Sequence, residues 1–289
     1  MIYEGDVYRP PSEAGSLIIQ ATIGCSHNKC TFCNMYKADN FRIKSVEHVI
    51  SDLEYMAVNY SYARRIFLAD GDALIMKTAH LEEILLKIKE LYPACKRVGI
   101  YASPASIFSK SPEELSRLAE LGIGIGYIGL ETGSDRLLKS INKGFNSEQI
   151  IRAAKMLKVA GIKSSITVIS GLGGQEFWEE HAVETGRVLS EMKVDYIGLL
   201  TLRIEPGTPM DEDYRTGKIK LLGPLEIARE TWLMLNNIDS EGSIFRSNHA
   251  SNYFSLSGTL NADKPALLAQ IEAAMQNKIR FRPEQLRYL

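Results

Sequence analysis

Six short β-rich runs, each followed by a stretch whose apolar residues recur at helical spacing, fill most of this chain: SLIIQATI (16–23), RRIFLADGD (64–72), KRVGIYASP (96–104), GIGYIGLETGSD (124–135), KSSITVISGLGG (163–174) and VDYIGLLTLRIEPGTP (194–209). Strands that alternate with helices in this way run parallel and are joined by right-handed crossovers, because each helix carries the chain back across the sheet. The helical stretches announce their ends. Ser45 precedes Val46, Val49, Ile50, Leu53 and Met56, and Thr78 opens a run with Leu81, Ile84, Leu85, Ile88 and Leu91 on one face. Ser111, Pro112 and Glu114 form a capping signature for a helix that Gly122 closes. The expected fold is α/β, a partial (β/α)6 TIM-like barrel, partial because six units fall short of eight. Its 289 residues are long for one core, but barrels of this kind reach that length as one unit. Residues 1–223 are assigned to the barrel, with a cysteine loop at 24–37. Residues 224–289 are assigned to a C-terminal helical and irregular extension that covers the barrel opening, with a helix from Pro224 and a last one over 264–278.

The cysteine loop, GCSHNKCTFC at 24–33, holds three of the four cysteines. The N-terminal sequence has no basic region followed by an apolar stretch, and no apolar run approaches the roughly 18–20 residues of a membrane span, so a cytoplasmic protein without membrane attachment is expected. In reducing cytosol, close-set cysteines read as thiolate metal ligands or a redox site rather than a disulfide. Cys95 stands alone and reads as a small core or helix-end residue. A structural zinc site takes four ligands. An iron–sulfur cubane has four irons, so three cysteines leave one iron open to an exogenous molecule, as the open position of a catalytic zinc does. Two other readings stay open: a zinc-bearing interaction module with His27 or His48 as fourth ligand, and an electron-transfer protein with Cys95 as fourth cluster ligand.

CSHNKCTFC, following an apolar strand in a chain with six βα units, resembles the cluster loop of the radical S-adenosylmethionine (SAM) superfamily, with one residue more between the first two cysteines than the family's commonest spacing. GLETGSDRLLKSINKG (129–144) resembles the fourth-strand segment shared by tRNA methylthiotransferases, the Elongator catalytic subunit and oxygen-independent coproporphyrinogen oxidases. The resemblance implies that Cys25, Cys30 and Cys33 bind a [4Fe–4S] cluster and that Phe32 lies by the adenine of SAM. Asp70, Gly71 and Asp72 then stand where the family has a Gly-Gly-Glu-like turn for the methionyl amino group. Glu131 contacts SAM, Lys143 pairs with its carboxylate, Ser103, Thr167 and Ser170 lie at the cofactor, Leu202 lies near adenine, and Arg203 faces the mouth. The implied reaction is reductive cleavage of SAM to a 5′-deoxyadenosyl radical that abstracts hydrogen from substrate, with an external reductant such as flavodoxin or ferredoxin.

Independently of the family, a zwitterionic ligand calls for an acidic and a cationic partner. The segment FRSNHASNYF (245–254) gathers Arg246, Asn248, His249, Asn252 and Tyr253, donors with an acid–base group, as candidates to line the substrate pocket. The formal net charge of −1 gives no support to a nucleic-acid substrate, and the basic run KIRFRPEQLR (278–287) is short. A small molecule or a peptide is expected. With only Cys95 outside the loop, the chain cannot itself supply the ligands of a second cubane, so sulfur insertion by that route is not expected.

Overall fold

The computed structural model describes residues 3–287. Its elements follow one another as β1 (Leu17–Gln20), β2 (Thr22–Ile23), β3 (Arg42–Ile43), α1 (Val46–Tyr60), β4 (Arg65–Ala69), α2 (Thr78–Leu91), β5 (Arg97–Tyr101), α3 (Pro104–Phe108), α4 (Pro112–Leu121), β6 (Ile123–Glu131), α5 (Asp135–Ser140), α6 (Ser147–Val159), β7 (Lys163–Ser170), α7 (Gly174–Met192), β8 (Tyr196–Thr201), α8 (Pro209–Arg215), α9 (Pro224–Asn236), β9 (Ile244–Arg246), β10 (Ser257–Thr259) and α10 (Lys264–Met275). Eight strands form a mostly parallel sheet in the order β1-β4-β5-β6-β7-β8-β9-β10, and β2 pairs with β3 in a separate ribbon. The α/β class and the parallel βα order are those expected. Among the described residues, no helix is long and apolar enough to cross a membrane. The chain divides into two compact units, one of Met1–Asn28, Met35–Ile128 and Ala153–Ser164, the other of Lys29–Asn34, Gly129–Arg152 and Ser165–Leu289.

In the first unit, α1 begins where Ser45 Oγ accepts the His48 N–H, and it buries Val46, Val49 and Leu53. A reciprocal box starts α4: Glu114 N–H donates to Ser111 Oγ at 3.2 Å and Ser111 N–H to Glu114 Oε2 at 2.7 Å. Between the strands, Phe67, Tyr101 and Tyr127 meet edge to face, with centroids 5.0 and 5.7 Å from Phe67. Beside them the fully buried Glu13 carboxylate accepts from Ser16, Arg97 and Tyr127.

The strand expected over 16–23 is in fact two. Ala21 N–H still donates to Ala69 O, but β2 then leaves the sheet to pair antiparallel with β3, Thr22 opposite Ile43 and Ile23 opposite Arg42. This ribbon closes the neck of the cysteine loop, and just beyond it Lys44 Nζ donates to Asp52 Oδ2 of α1 at 2.7 Å in a nearly solvent-free pair.

In the second unit, β7 and β8 alternate. Ile166, Val168 and Ser170 are buried on one face while Ser165, Thr167 and Ile169 are half-buried on the other, and β8 repeats the pattern in register. The stretch after α9, expected to be irregular, contributes β9, parallel to β8, and β10, antiparallel to β9. Three-residue strands carry too few positions for a period to be read, so only pairing defines them. The helix α9 packs against both α7 and α10.

The buried Lys44–Asp52 pair yields a stability prediction. Lys44→Met strands a carboxylate away from water, and urea unfolding should show a loss of about 3 kcal/mol or more. The double variant Lys44→Met/Asp52→Leu should regain most of it; a single variant as stable as wild type would remove the pair from the loop's anchorage.

Candidate active site

Two of the strand ends in the first unit are organised by acidic side chains that accept donors from the cysteine loop. Asp70, fully buried after β4, accepts from Gln20 Nε2 at 2.8 Å and from the Tyr36 hydroxyl at 3.4 Å. Burial pushes its carboxyl up to about 6, against the lowering effect of these donors. Asp72 accepts from Ser26 Oγ at 2.5 Å, and from Ser103 Oγ at 2.7 Å and Ser103 N–H at 3.1 Å, with its pKa raised by burial. Asp72 therefore joins the residue after Cys25 to the end of β5, where Ser103 also caps α3.

Gly71 lies between these two aspartates for a steric reason. A Cβ there would stand 3.0 Å from Gly24 O and from Tyr36 Cε2, and 3.1 Å from Cys25 Cα, so a side chain at this turn would press on the base of the loop. The loop itself is framed on buried Tyr36. Asn28 Nδ2 donates to Tyr36 O at 2.7 Å, Lys37 Nζ donates to Asn28 O at 2.7 Å, and Tyr8 stacks edge-on to the Tyr36 ring at 5.3 Å. Burial, then Asp70, drives the Tyr36 phenol well above its ordinary pKa, so it stays protonated and donates.

In the second unit, the segment with Cys30, Phe32 and Cys33 hangs between two helix ends. Thr31 N–H donates to Ile141 O at 2.9 Å, Met210 N–H to Thr31 O at 3.1 Å, and Asn142 Nδ2 to Lys29 O at 3.1 Å. Phe32 packs against a cluster of Ile141, Leu172, Leu202 and Met210. Phe32 and Leu202, both expected near adenine, thus belong to one apolar surface. Glu131, at the end of β6 with φ +65°, accepts from Lys143 Nζ at 2.7 Å. Gly129 makes room for that pair, since a Cβ on it would overlap the Glu131 carboxylate. The two residues expected on opposite ends of a zwitterion stand side by side.

Thr167 and Ser170 do not share a face. Thr167 is on the half-buried side of β7, whereas the Ser170 hydroxyl points into the buried side and donates to Glu230 of α9 at 2.5 Å. Of the residues expected to line a substrate pocket, Arg246 and Asn248 are exposed and His249 is half-buried, its ring Nδ1 2.8 Å from Ser251 Oγ. Burial, then Arg203 and Arg282, holds the His249 imidazole below its ordinary pKa. Arg203 Nη2 lies 3.9 Å from Glu205.

Asn252 and Tyr253 are buried anchors. Asn252 donates to Leu199 O and accepts from Thr201 Oγ1, each at 2.8 Å, and Tyr253 donates to Glu284 at 2.9 Å under the Arg287 guanidinium. The basic C-terminal run has the same structural use. Arg282 donates to the carbonyls of His249, Ala250 and Asn252, and Arg287 to those of Ser251 and Leu202. Sequence reasoning missed Gln20, Ser26, Tyr36 and Glu230, all of which orient candidate residues. Glu230 had a signal: a carboxylate three residues from Ile227 and four from Met234, on the apolar face of its helix.

The three loop cysteines are half-buried thiols outside any disulfide. Among the described residues, no three His, Cys, Asp or Glu side chains stand close enough to hold one metal ion. Three cysteines within nine residues are the soft thiolate donors that iron–sulfur clusters take, so the donor set suits a cluster. Gly71, open where a Cβ would press on the loop, suits the same use.

Residues 19–185 match the radical SAM superfamily. An uncharacterized methyltransferase of Pyrococcus horikoshii is 27% identical over 198 residues, 68% of this chain and 41% of that protein. The heme chaperone HemW of Buchnera aphidicola is 24% identical over 188 residues, 62% of this chain and 49% of that protein. The chain thus spans less than half the length of these two relatives. Coproporphyrinogen III oxidase from Escherichia coli shares the fold, with a TM-score of 0.55 at 19% identity over 76% of this chain and 52% of that one. Since the superfamily match covers more than half of the sequence, the chain belongs to the radical SAM superfamily, whose cofactors are a [4Fe–4S] cluster and SAM.

Proposed function

We propose that this chain is a radical SAM enzyme in which Cys25, Cys30 and Cys33 would hold a [4Fe–4S] cluster beside bound SAM. Together, cluster and SAM would supply radical chemistry, the one-electron reductive cleavage of SAM that opens the way to hydrogen abstraction from a small-molecule or peptide substrate. The observation that carries this reading is the loop: three thiols within nine residues, outside any disulfide, with Gly71 packed closely against its base.

The chain's residues divide the remaining work. Asp70 and Asp72 fix the loop's first part through Gln20, Tyr36, Ser26 and Ser103. Phe32 and Leu202 offer an apolar surface for adenine. Lys143 takes the SAM carboxylate and Glu131 a donor group of SAM, the two partners exchanging their mutual ion pair for the ligand's charges. Arg203 and His249 are the candidates to face the substrate, and the electron comes from a carrier such as flavodoxin or ferredoxin.

Anaerobic reconstitution with iron and sulfide should give about four irons per chain and a reduced-state electron paramagnetic resonance signal that shifts with SAM. Cys30→Ala should lose the cluster. Tightly bound zinc without a brown chromophore would overturn the reading. For the cofactor contacts, Lys143→Met should weaken SAM binding about tenfold or more while iron content stays normal; unchanged affinity would take Lys143 out of the SAM site.

A further inference from the structure

The segment after β9 is stitched to the end of β8. Ser251 Oγ accepts the Thr201 N–H at 3.2 Å, and Asn252 bonds to Leu199 O and Thr201 Oγ1. A turn closes where Asn252 N–H donates to His249 O at 3.1 Å, and Arg282 holds the carbonyls of His249, Ala250 and Asn252. Residues 249–252 are thereby fixed at the C-terminal ends of β8 and β9, the edge where α/β barrels place their chemistry.

The His249 ring turns back onto this segment. Ser251 N–H donates to its Nδ1 at 3.1 Å, and Ser251 Oγ lies 2.8 Å from the same nitrogen. A backbone N–H can only donate, so Nδ1 presents its lone pair and carries no proton. The Ser251 hydroxyl, one of whose lone pairs takes the Thr201 N–H, donates to Nδ1 as well. The single proton of the neutral ring is therefore on Nε2. Among the described residues Nε2 has no hydrogen-bond partner, yet it is not one of the buried orphan atoms, so it is open to a ligand or to water. An imidazolium would set Nδ1–H against the Ser251 N–H, and burial, then Arg203 and Arg282, oppose its charge.

We propose that His249, fixed by Ser251 as the Nε2–H tautomer, is a binding donor for a carboxylate carried by the substrate. With the Nδ1 lone pair already taken and Nε2 protonated, the ring orients a ligand and does not move its protons. The charges that act on the ring are both cationic, and Arg203 follows Thr201 by two residues. Glu205 stands 3.9 Å from the Arg203 guanidinium, beyond hydrogen-bond reach. A carboxylate at Nε2 gains a charge-assisted hydrogen bond in positive surroundings, whereas a neutral carbonyl gains the hydrogen bond alone. That the ligand is the substrate rests on the function proposed above; the tautomer and the donor site do not.

Nitrogen-15 NMR of the histidine-labelled full chain near neutral pH, as purified and after reconstitution, reads the tautomer, with His249 assigned by its loss in His249→Gln. A neutral ring protonated at Nε2 is expected; an Nδ1–H tautomer or an imidazolium would overturn the proposal. Sodium acetate is the carboxylate probe, with ionic strength held by sodium chloride, and acetamide is the uncharged control. Acetate should shift the Nε2 resonance saturably, with an apparent affinity about tenfold or more above that of acetamide. No response to acetate, or an equal response to acetamide, would remove the carboxylate site. If the site behaves as expected in protein that binds no cluster and cleaves no SAM, the proposed function fails and the donor site stands. Protein that cleaves SAM while His249 ignores acetate keeps the function and loses the site.

Discussion

A carboxylate taken out of water must find donors inside the protein, and Glu13, Asp70, Asp72 and Glu230 are all out of water. Glu13, Asp70 and Asp72 each collect donors from more than one element, and Glu230 ties one strand end to its own helix, so each acts as a knot. Glu13 gathers Arg97 and Tyr127 from two strands with Ser16 just before β1. Asp70 and Asp72 gather β1, the cysteine loop and the end of β5. Glu230 gathers the end of β7 onto α9. A parallel sheet offers strong order along its strands but little where the strands stop. Asp70, Asp72 and Glu230 supply order at the C-terminal ends of strands, the edge where α/β barrels place their chemistry, whereas Glu13 lies at the other edge, beside the starts of β1 and β5.

That arrangement separates support from chemistry more sharply than the motifs suggest. Asp72 and Ser103 read as two cofactor residues, yet they bond to each other and to Ser26, so their observed contacts shape the loop. Asn252 and Tyr253 likewise tie the segment after β9 to β8 and to the C-terminal turn. Among the residues expected at the site, the loop thiols, Phe32, Lys143, Thr167, Arg203 and His249 are half-buried.

Much of the fold was legible. Ser45 and the Ser111–Glu114 box mark helix starts where the helices begin, because capping is a local matter of a side chain and its neighbouring backbone. The break between β1 and β2 was not legible, because it depends on β3 some twenty residues away. Nor were β9 and β10, whose three residues each are strands only through their partners. The opposite aims of Thr167 and Ser170 were available: residues three apart on a strand face opposite ways. In the candidate site, the motifs name the cysteines, Glu131 and Lys143 but not that Glu131 and Lys143 pair with each other, and Gln20, Ser26 and Tyr36 could not be read, because nothing in their local sequence says that a buried acid waits for them.

The Glu131–Lys143 ion pair bears on how such a site can be selective. Two opposite charges, 2.7 Å apart and largely shielded from water, satisfy each other, so a ligand with a single charge would leave one of them stranded and meet a desolvation penalty. A ligand that brings both charges exchanges one set of pairs for another at little cost. Under the proposed function, SAM is such a ligand, and the gain from separating the pair depends on Glu131 keeping its aim once Lys143 has moved away. That aim is set from behind, by the turn from Thr132 to Ser134 and its contacts with α7, which is why the second layer matters to the first.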